Sequence, residues 1–313
     1  MREGIIIIDK PKDMTSFDVI AILRKKLGIK RIGHLGTLDP MATGLLAVAI
    51  GSSGRIMEYL DGDVKTYVAG IRLGIKTDTD DIWGEVIESR ECRFPEVSLI
   101  EKALDAFRGV IEQTPPIYSA LKVSGKKLYE YARAGEDVEI KSRKIYIPEI
   151  ELLEVRPEEM ELLIKVSCSK GTYIRSLARD LGDALGTLGT MSSLVRTKVG
   201  IMGLDDAMSL EEVKSMEVPE IEKRIIPCDG LLMDFPETRL GDWESKLFCN
   251  GVKLRLDQWG GDDDRKSLDF PLELPDIYPR LVRVYEMEGD FLGMGTVDEN
   301  EELKAHKVLA DIR

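Results

Sequence analysis

The 313-residue chain is poor in the side chains that most often organise chemistry. It has two histidines, His34 and His306, far apart and in no ligand spacing such as H-E-x-x-H, which argues against catalytic zinc. Its four cysteines, Cys92, Cys168, Cys228 and Cys249, are scattered without a C-x-x-C pair. Neither a disulfide framework nor a zinc knuckle is implied, and a reducing, cytoplasmic setting is expected. No apolar run approaches a membrane span: Ile5 to Ile8 is followed at once by Asp9 and Lys10, too short even for a signal peptide. There is no Gly-Lys-Ser/Thr phosphate loop, no dinucleotide fingerprint and no G-x-S-x-G elbow. Metal, nucleotide and serine-triad chemistries lose support, and carboxylate chemistry is left.

Positive net charge is also missing, at −13, which at first argues against nucleic acid. Its distribution changes that. Residues 1–200 hold 30 Lys plus Arg and 30 Asp plus Glu, whereas residues 201–313 hold 14 and 27, so the acidic excess lies in the last third. Within the neutral part, Arg24, Lys25, Lys26, Lys30 and Arg31 form a basic run without an acid. A second cluster comprises Lys122, Lys126, Lys127, Arg133, Lys141, Arg143 and Lys144. Either alone reads as a solvated helix face; two, one of them abutting a glycine-rich loop, make an anionic ligand plausible.

What is present is enough apolar sequence, 43%, for two domains of unequal size. GIIIIDKP reads as a buried strand ended by a turn, and SFDVIAILRKKLG as a helix with Ser16 as its cap. GLLAVAIG and ELLIKVSCS read as strands, as does KTYVAGIRLG, with Tyr67, Ala69, Ile71 and Leu73 on one face. EVSLIEKALDAFRG, KLYEYARAG and GTYIRSLARDLGDALG read as helices, the last strongly amphipathic. This mixture without a βαβ repeat predicts an α+β domain on a mixed, largely antiparallel sheet flanked by helices. Beyond about residue 230 helical patterns stop, and a small all-β module is expected, with residues 257–276 as a long acidic loop.

The stretch GHLGTLDPMATG, residues 33–44, carries three glycines, a histidine and Asp39 before Pro40. By itself it is open to three readings: a phosphate cradle, a catalytic loop, or a plain turn, with Asp39 as cap and Pro40 at the first position of a following helix. Arg175, in the first turns of its helix, has Gly171, Thr172, Ala178 and Arg179 at the local pairing positions and thus no intrahelical acid. Arg179 can instead pair with Asp183. Arg175 is either solvated or buried against an acid from elsewhere, and an aspartate held beside an arginine keeps its charge and is a ready nucleophile.

Together these segments are recognisable. GHLGTLDPMATG resembles the catalytic motif of the TruB family of tRNA pseudouridine synthases. IIIDKPKDMTS, KTYVAGIRLG, PPIYSALKVSGKKLYEYARAG and SKGTYIRSLARDLG resemble further segments of that family in the same order. FLGMGTVDENEELKAHKVL resembles the end of the PUA domain that such enzymes carry. The likeness spans nearly the whole chain, and implies a catalytic domain of pseudouridine synthase type over 1–232, with an RNA-clamping insertion at about 119–145, and a PUA-like barrel over 233–313.

The resemblance also implies roles. Asp39 would be the nucleophile toward the T-loop uridine at tRNA position 55, attacking C6 of the base or C1′ of the ribose. Tyr67 would stack on the extruded base and remove its C5 proton, and Arg175 would pair with Asp39. Tyr173 and Leu194 would line the pocket, Lys65 would lie near it, and His34 would hold bases pulled from the loop. No cofactor, metal or membrane is implied; the partner is the T-arm of tRNA, and the enzyme would be a cytoplasmic monomer without a protein partner. Leu35 departs from the family pattern, where a small or hydroxylated residue is usual, and the acidic loop should repel phosphate. Two other readings stay in view: a guide-RNA-dependent relative, and a noncatalytic tRNA-binding or folding protein.

Overall fold

The structure, a computed structural model, describes residues 3–60, 64–255 and 280–310. The acidic loop expected at 257–276 lies outside the described residues. Strand Gly4–Lys10 is apolar on both sides because it is buried on both: Ile6 and Ile8 pack with Val19 and Leu23, while Ile5 and Ile7 pack with Leu45 and Ile56 on the opposite face.

It belongs to a nine-stranded mixed sheet ordered Glu149–Arg156, Glu161–Cys168, Lys65–Leu73, Gly189–Val199, Thr43–Ile50, Gly4–Lys10, Met208–Ser209. Ile32–Leu35 pairs with Thr43–Ile50, and Met202–Gly203 with Gly189–Val199. Only two of these pairings are parallel, Gly189–Val199 with Thr43–Ile50 and Gly4–Lys10 with Met208–Ser209. The mixed, largely antiparallel α+β expectation is met.

Helix Ser16–Leu27 is capped by Thr15 rather than Ser16. The sequence T-S-F-D is a capping box in which Thr15 and Asp18 satisfy each other's backbone N–H. Ser16 is thereby freed for another task, described below. Helix Ile174–Ala184 lies against strand Gly189–Val199 so closely that a Cβ on Gly182 would overlap the backbone of Gly189, and one on Gly189 the carbonyl of Ala178. This contact fixes the height of the helix above the sheet, and hence where Arg175 reaches. Arg179 does not pair with Asp183: its guanidinium bonds Asp80 at 2.9 Å and Asp180 at 2.8 Å, because its side chain turns toward the neighbouring loop.

The C-terminal part is a separate four-stranded sheet, Glu237–Leu240, Arg280–Glu286, Phe291–Val297 and Leu303–Val308. Helical structure does not stop at residue 230, since Asp242–Cys249 is a helix whose Phe248 fills the core between Leu240, Val282 and Leu292. Two turns are too short for a period to stand out in the sequence. Leu281 and Met294 enter the cluster containing Ile5, Ile7 and Leu45, which docks this sheet on the main domain. Among the described residues, no helix is long and apolar enough to cross a membrane.

Candidate active site

The loop that presents Asp39 is pinned residue by residue. Residues 39–42 form a turn, not a helix start: Ala42 N–H donates to the Asp39 carbonyl at 3.0 Å, with Pro40 at the position where its fixed φ suits a turn. Upstream, the Gly36 carbonyl accepts from Arg196 Nη2 at 3.1 Å. The buried Ser16 hydroxyl donates to the Leu38 carbonyl at 3.1 Å and accepts from Leu38 N–H at 3.0 Å. Downstream, the Pro40 carbonyl accepts from Asp13 N–H at 3.0 Å and from Lys10 Nζ at 3.3 Å. The backbone on either side of Asp39 is therefore fixed while its side chain remains 40% exposed. We expect Ser16→Ala, which strands both Leu38 backbone groups, to destabilise the fold by about 1–3 kcal/mol and to lower turnover roughly tenfold. Denaturant melts and steady-state kinetics check this.

Lys10 ends the first strand fully buried, its ammonium donating to the carbonyls of Pro11, Met14 and Pro40 at 3.0, 2.7 and 3.3 Å. Burial pulls its pKa from 10.5 to about 8, against the opposing pull of Asp39. Because the folded value lies below the unfolded one, the unfolded chain holds this proton more tightly between pH 8 and 10.5, and the cost of the buried charge is relieved as pH rises through that window. Wild type should thus gain stability relative to Lys10→Met between pH 7 and pH 10. Thermal melts of both proteins across that range test it, and a constant gap between them would exclude it.

Arg175 brings three segments together. Its Nε lies 3.1 Å from Asp39 Oδ2, Nη1 donates to the Thr79 carbonyl at 3.1 Å and lies 3.8 Å from Asp81 Oδ2, and Nη2 donates to the Tyr118 carbonyl at 2.9 Å. Its side chain is 9% exposed, so of the two alternatives open in the sequence it is the buried one, with an acid from another segment. The start of its helix is set by Gln113, which accepts from Tyr173 N–H at 2.8 Å and donates to the Tyr173 carbonyl at 3.1 Å.

Tyr67 sits in register between Val166 and Arg196 on the neighbouring strands. Burial pushes its hydroxyl pKa up, while the charge of Arg196 pulls it down. Asp39, Tyr67, Tyr173, Arg175 and Leu194 all line one cavity of about 470 Å³, together with Tyr118 and with Ser119, Ala120 and Tyr129 of the basic segment. A carboxylate, a guanidinium and aromatic faces are thereby gathered around a space of the size that holds small-molecule or base-sized ligands, about 300–1,000 Å³.

Two of the expected residues lie elsewhere. Lys65 lines an adjoining cavity with Arg196, and His34 lines neither, being half-buried on the strand Ile32–Leu35 opposite Val48. Its Nδ1 is buried without a hydrogen-bond partner among the described residues, and burial together with the Arg196 charge lowers its pKa. Sequence reasoning missed Lys10, Ser16, Gln113 and Arg196. Lys10 had a signal, a cation closing a strand whose core, Ile5 to Ile8, is apolar. Arg196 had none, since SSLVRTK reads as any strand with an exposed cation, yet it is 1% exposed. Part of the basic run is structural: Arg24 Nη2 donates to the Ile32 carbonyl at 2.8 Å and Lys26 to the Lys214 carbonyl at 2.9 Å.

Comparison with known proteins bears on this site. A family model described as the TruB family pseudouridylate synthase N-terminal domain matches residues 24–174, and one described as the tRNA pseudouridylate synthase B C-terminal domain matches residues 175–233. The chain belongs to the TruB family. It is 42% identical over 260 residues to tRNA pseudouridine synthase B of Geobacillus kaustophilus, covering 81% of this chain and 91% of that protein. To tRNA pseudouridine synthase B of Clostridium tetani it is 39% identical over 292 residues, covering 93% and 94%. A solved structure of an H/ACA RNP bound to a substrate RNA containing 2′-deoxyuridine has a chain that superposes with a TM-score of 0.69 at 23% identity, covering 98% of this chain and 85% of that one. At that identity the match speaks to the fold, which this TruB-family chain shares with it.

Proposed function

We propose that this TruB-family protein isomerises uridine to pseudouridine in transfer RNA, acting on the T-loop uridine at position 55. The observation that carries the reading is the Asp39 carboxylate, 40% exposed on a pinned loop, held by Arg175 at 3.1 Å and opening into the cavity with Tyr67. Relatives named tRNA pseudouridine synthase B supply the substrate class.

In the proposed reaction the target nucleotide is extruded from the loop into the cavity, where Tyr67 stacks on the base. Asp39 attacks C6 of the base or C1′ of the ribose, the C1′–N1 bond breaks, the base turns, and a C1′–C5 bond forms; the bond to Asp39 breaks again, by displacement as C5 attacks C1′ or by elimination from C6, which returns the free carboxylate. The C5 proton then leaves and N1 takes up a proton, so atoms balance without a co-reactant. Removal of the C5 proton is assigned to Tyr67, whose hydroxyl pKa is raised by burial and only partly drawn back by the Arg196 charge beside it. Leu194 and Tyr173 shape the pocket, and His34 and Lys65 act on the RNA around it.

The segment 119–145 is proposed to close on the RNA. It reaches the cavity through Ser119 and Tyr129, and it places Lys127 and Arg133 each 5.3 Å from the Tyr129 ring. Such a segment favours a stand-alone enzyme over a guide-RNA-dependent relative, and a cytoplasmic monomer is proposed. The C-terminal sheet and helix are read as a PUA-like RNA-binding module over 233–313.

The test is tritium release from a tRNA transcript carrying 5-tritiated uridine, without added metal or ATP. One equivalent should be released per tRNA, and none when the uridine at position 55 is replaced by cytidine. Release unchanged by that replacement would exclude the assigned position, and no release at all would favour the noncatalytic reading.

A further inference from the structure

Beside the cavity that holds Asp39 lies a second one of about 520 Å³ with a different character. Four basic side chains, Lys65, Arg143, Lys170 and Arg196, line it, and among the described lining residues there is no carboxylate. It shares Thr37, Tyr67 and Thr172 with the first cavity, so a ligand spanning both would pass the Tyr67 ring. We propose that this second cavity is an anion pocket that takes one backbone phosphodiester of the substrate strand, at the extruded uridine or at its neighbour. The proposal rests on the reading of the chain as a tRNA-modifying enzyme.

Two of the four cations are built in rather than draped over a surface. Arg196 is 1% exposed and Lys65 6%. Arg196 Nε donates to the Leu45 carbonyl at 2.7 Å and Nη2 to the Gly36 carbonyl at 3.1 Å, and Arg143 donates to the Gly171 carbonyl. Carbonyl oxygens orient a guanidinium without neutralising it, and a buried charge left in that state favours an anion beside it. The Nε–H of Arg143 is buried without a hydrogen-bond partner among the described residues. Its guanidinium lies 4.9 Å from the centre of the Tyr173 ring, so the group that meets the anion also packs on a wall of the first cavity.

Two glycines keep the cationic face open. Gly36 and Gly171 have φ of +71° and +83°. A Cβ on Gly36 would come 3.3 Å from Arg196 Nη1 and 3.5 Å from Lys65 Cε, and one on Gly171 would come 3.4 Å from Arg143 Cζ. Bare backbone at both positions leaves the space in front of the basic groups to a ligand. A phosphodiester suits it in charge, and two guanidinium forks match its oxygens. Extruding a nucleotide bends the strand at its own phosphates, so a fixed anion pocket next to the base pocket would hold the strand in the extruded form.

The experiment uses T-arm hairpins carrying a single neutral methylphosphonate at successive linkages around the target uridine, bound to wild type, Arg143→Gln and Lys170→Gln. Wild type should lose about tenfold in affinity at one linkage beside the target and little at the others. Each variant should bind the unmodified hairpin more weakly, show a salt dependence shallower by about one ion, and lose nothing further at that linkage. Lys170 is exposed, so its replacement probes the pocket without disturbing the Arg143–Tyr173 contact. Losses that add at every linkage, or an unchanged salt dependence in both variants, would overturn the proposal. Competition by millimolar inorganic phosphate against wild type but not the variants, with no sensitive linkage, would assign the pocket to a free anion and overturn it equally. Tritium release from the unmodified hairpin by wild type separates the two levels. Release without a sensitive linkage removes only the pocket, whereas absence of release removes the enzymatic reading.

Discussion

Arg175→Ala is expected to lose roughly 10²–10³-fold in kcat, the range seen when a preorganised electrostatic contact at a reacting group is removed. The geometry gives the reason. The guanidinium touches the Asp39 carboxylate, the Asp81 carboxylate and the carbonyls of Thr79 and Tyr118 at once. Removing it leaves Asp81, 11% exposed in its side chain, without this cation, and leaves two carbonyls without their donor. It also frees Asp39 to swing out of line with the extruded base. Thermal stability should fall as well, so the diagnostic comparison is Arg175→Lys. A lysine restores charge at Asp39 but cannot reach both carbonyls, and it should recover part of the turnover while the melting temperature stays low. Near-normal kcat in a folded Arg175→Ala protein would remove the pairing from the mechanism.

How much of this could be seen in the sequence depended on whether the signal was local. Strand Lys65–Leu73 and helix Ile174–Ala184 were legible because the two-residue alternation of the one and the helical period of the other each repeat several times. The sequence showed that Arg175 has no acid within reach on its own helix, which left it solvated or buried; its pairing with Asp39 came only from the family resemblance. The helix start at Thr15 was misassigned by one residue, because Ser16 is also a good cap by residue type and only its burial against Leu38 shows that it is otherwise engaged. The Asp39-Pro40 pair was legible as a turn, but the sequence also allowed it to start a helix, since both accept proline there, and no helix follows.

The rest was not legible because it is made by contacts distant in sequence. Arg196 meets Gly36 only because Gly189–Val199 runs parallel to Thr43–Ile50, and no spacing within SSLVRTK announces that pairing. Arg179 chose Asp80, 99 positions away, over Asp183 on its own helix. The helix Asp242–Cys249 went unseen because it is eight residues long and held by Phe248 in the core of the C-terminal sheet, a tertiary cause that a short apolar pattern does not display.

The account turns on Asp39 as the nucleophile. The contacts of Ser16 with Leu38 and of Lys10 with Pro40 hold backbone, while the Asp39 side chain, met by Arg175, lines the cavity. Asp39→Asn keeps size and shape, and an amide can still accept from Arg175, so the loop and the RNA-binding surface should be preserved. The direct measurement is single-turnover tritium release from a 5-tritiated tRNA transcript by wild type and Asp39→Asn, with RNA affinity determined on the same preparations. The account predicts a rate at least about 10⁴-fold lower in the variant, with affinity within about threefold of wild type, a difference under 1 kcal/mol. Release by Asp39→Asn at a rate comparable to wild type would contradict it.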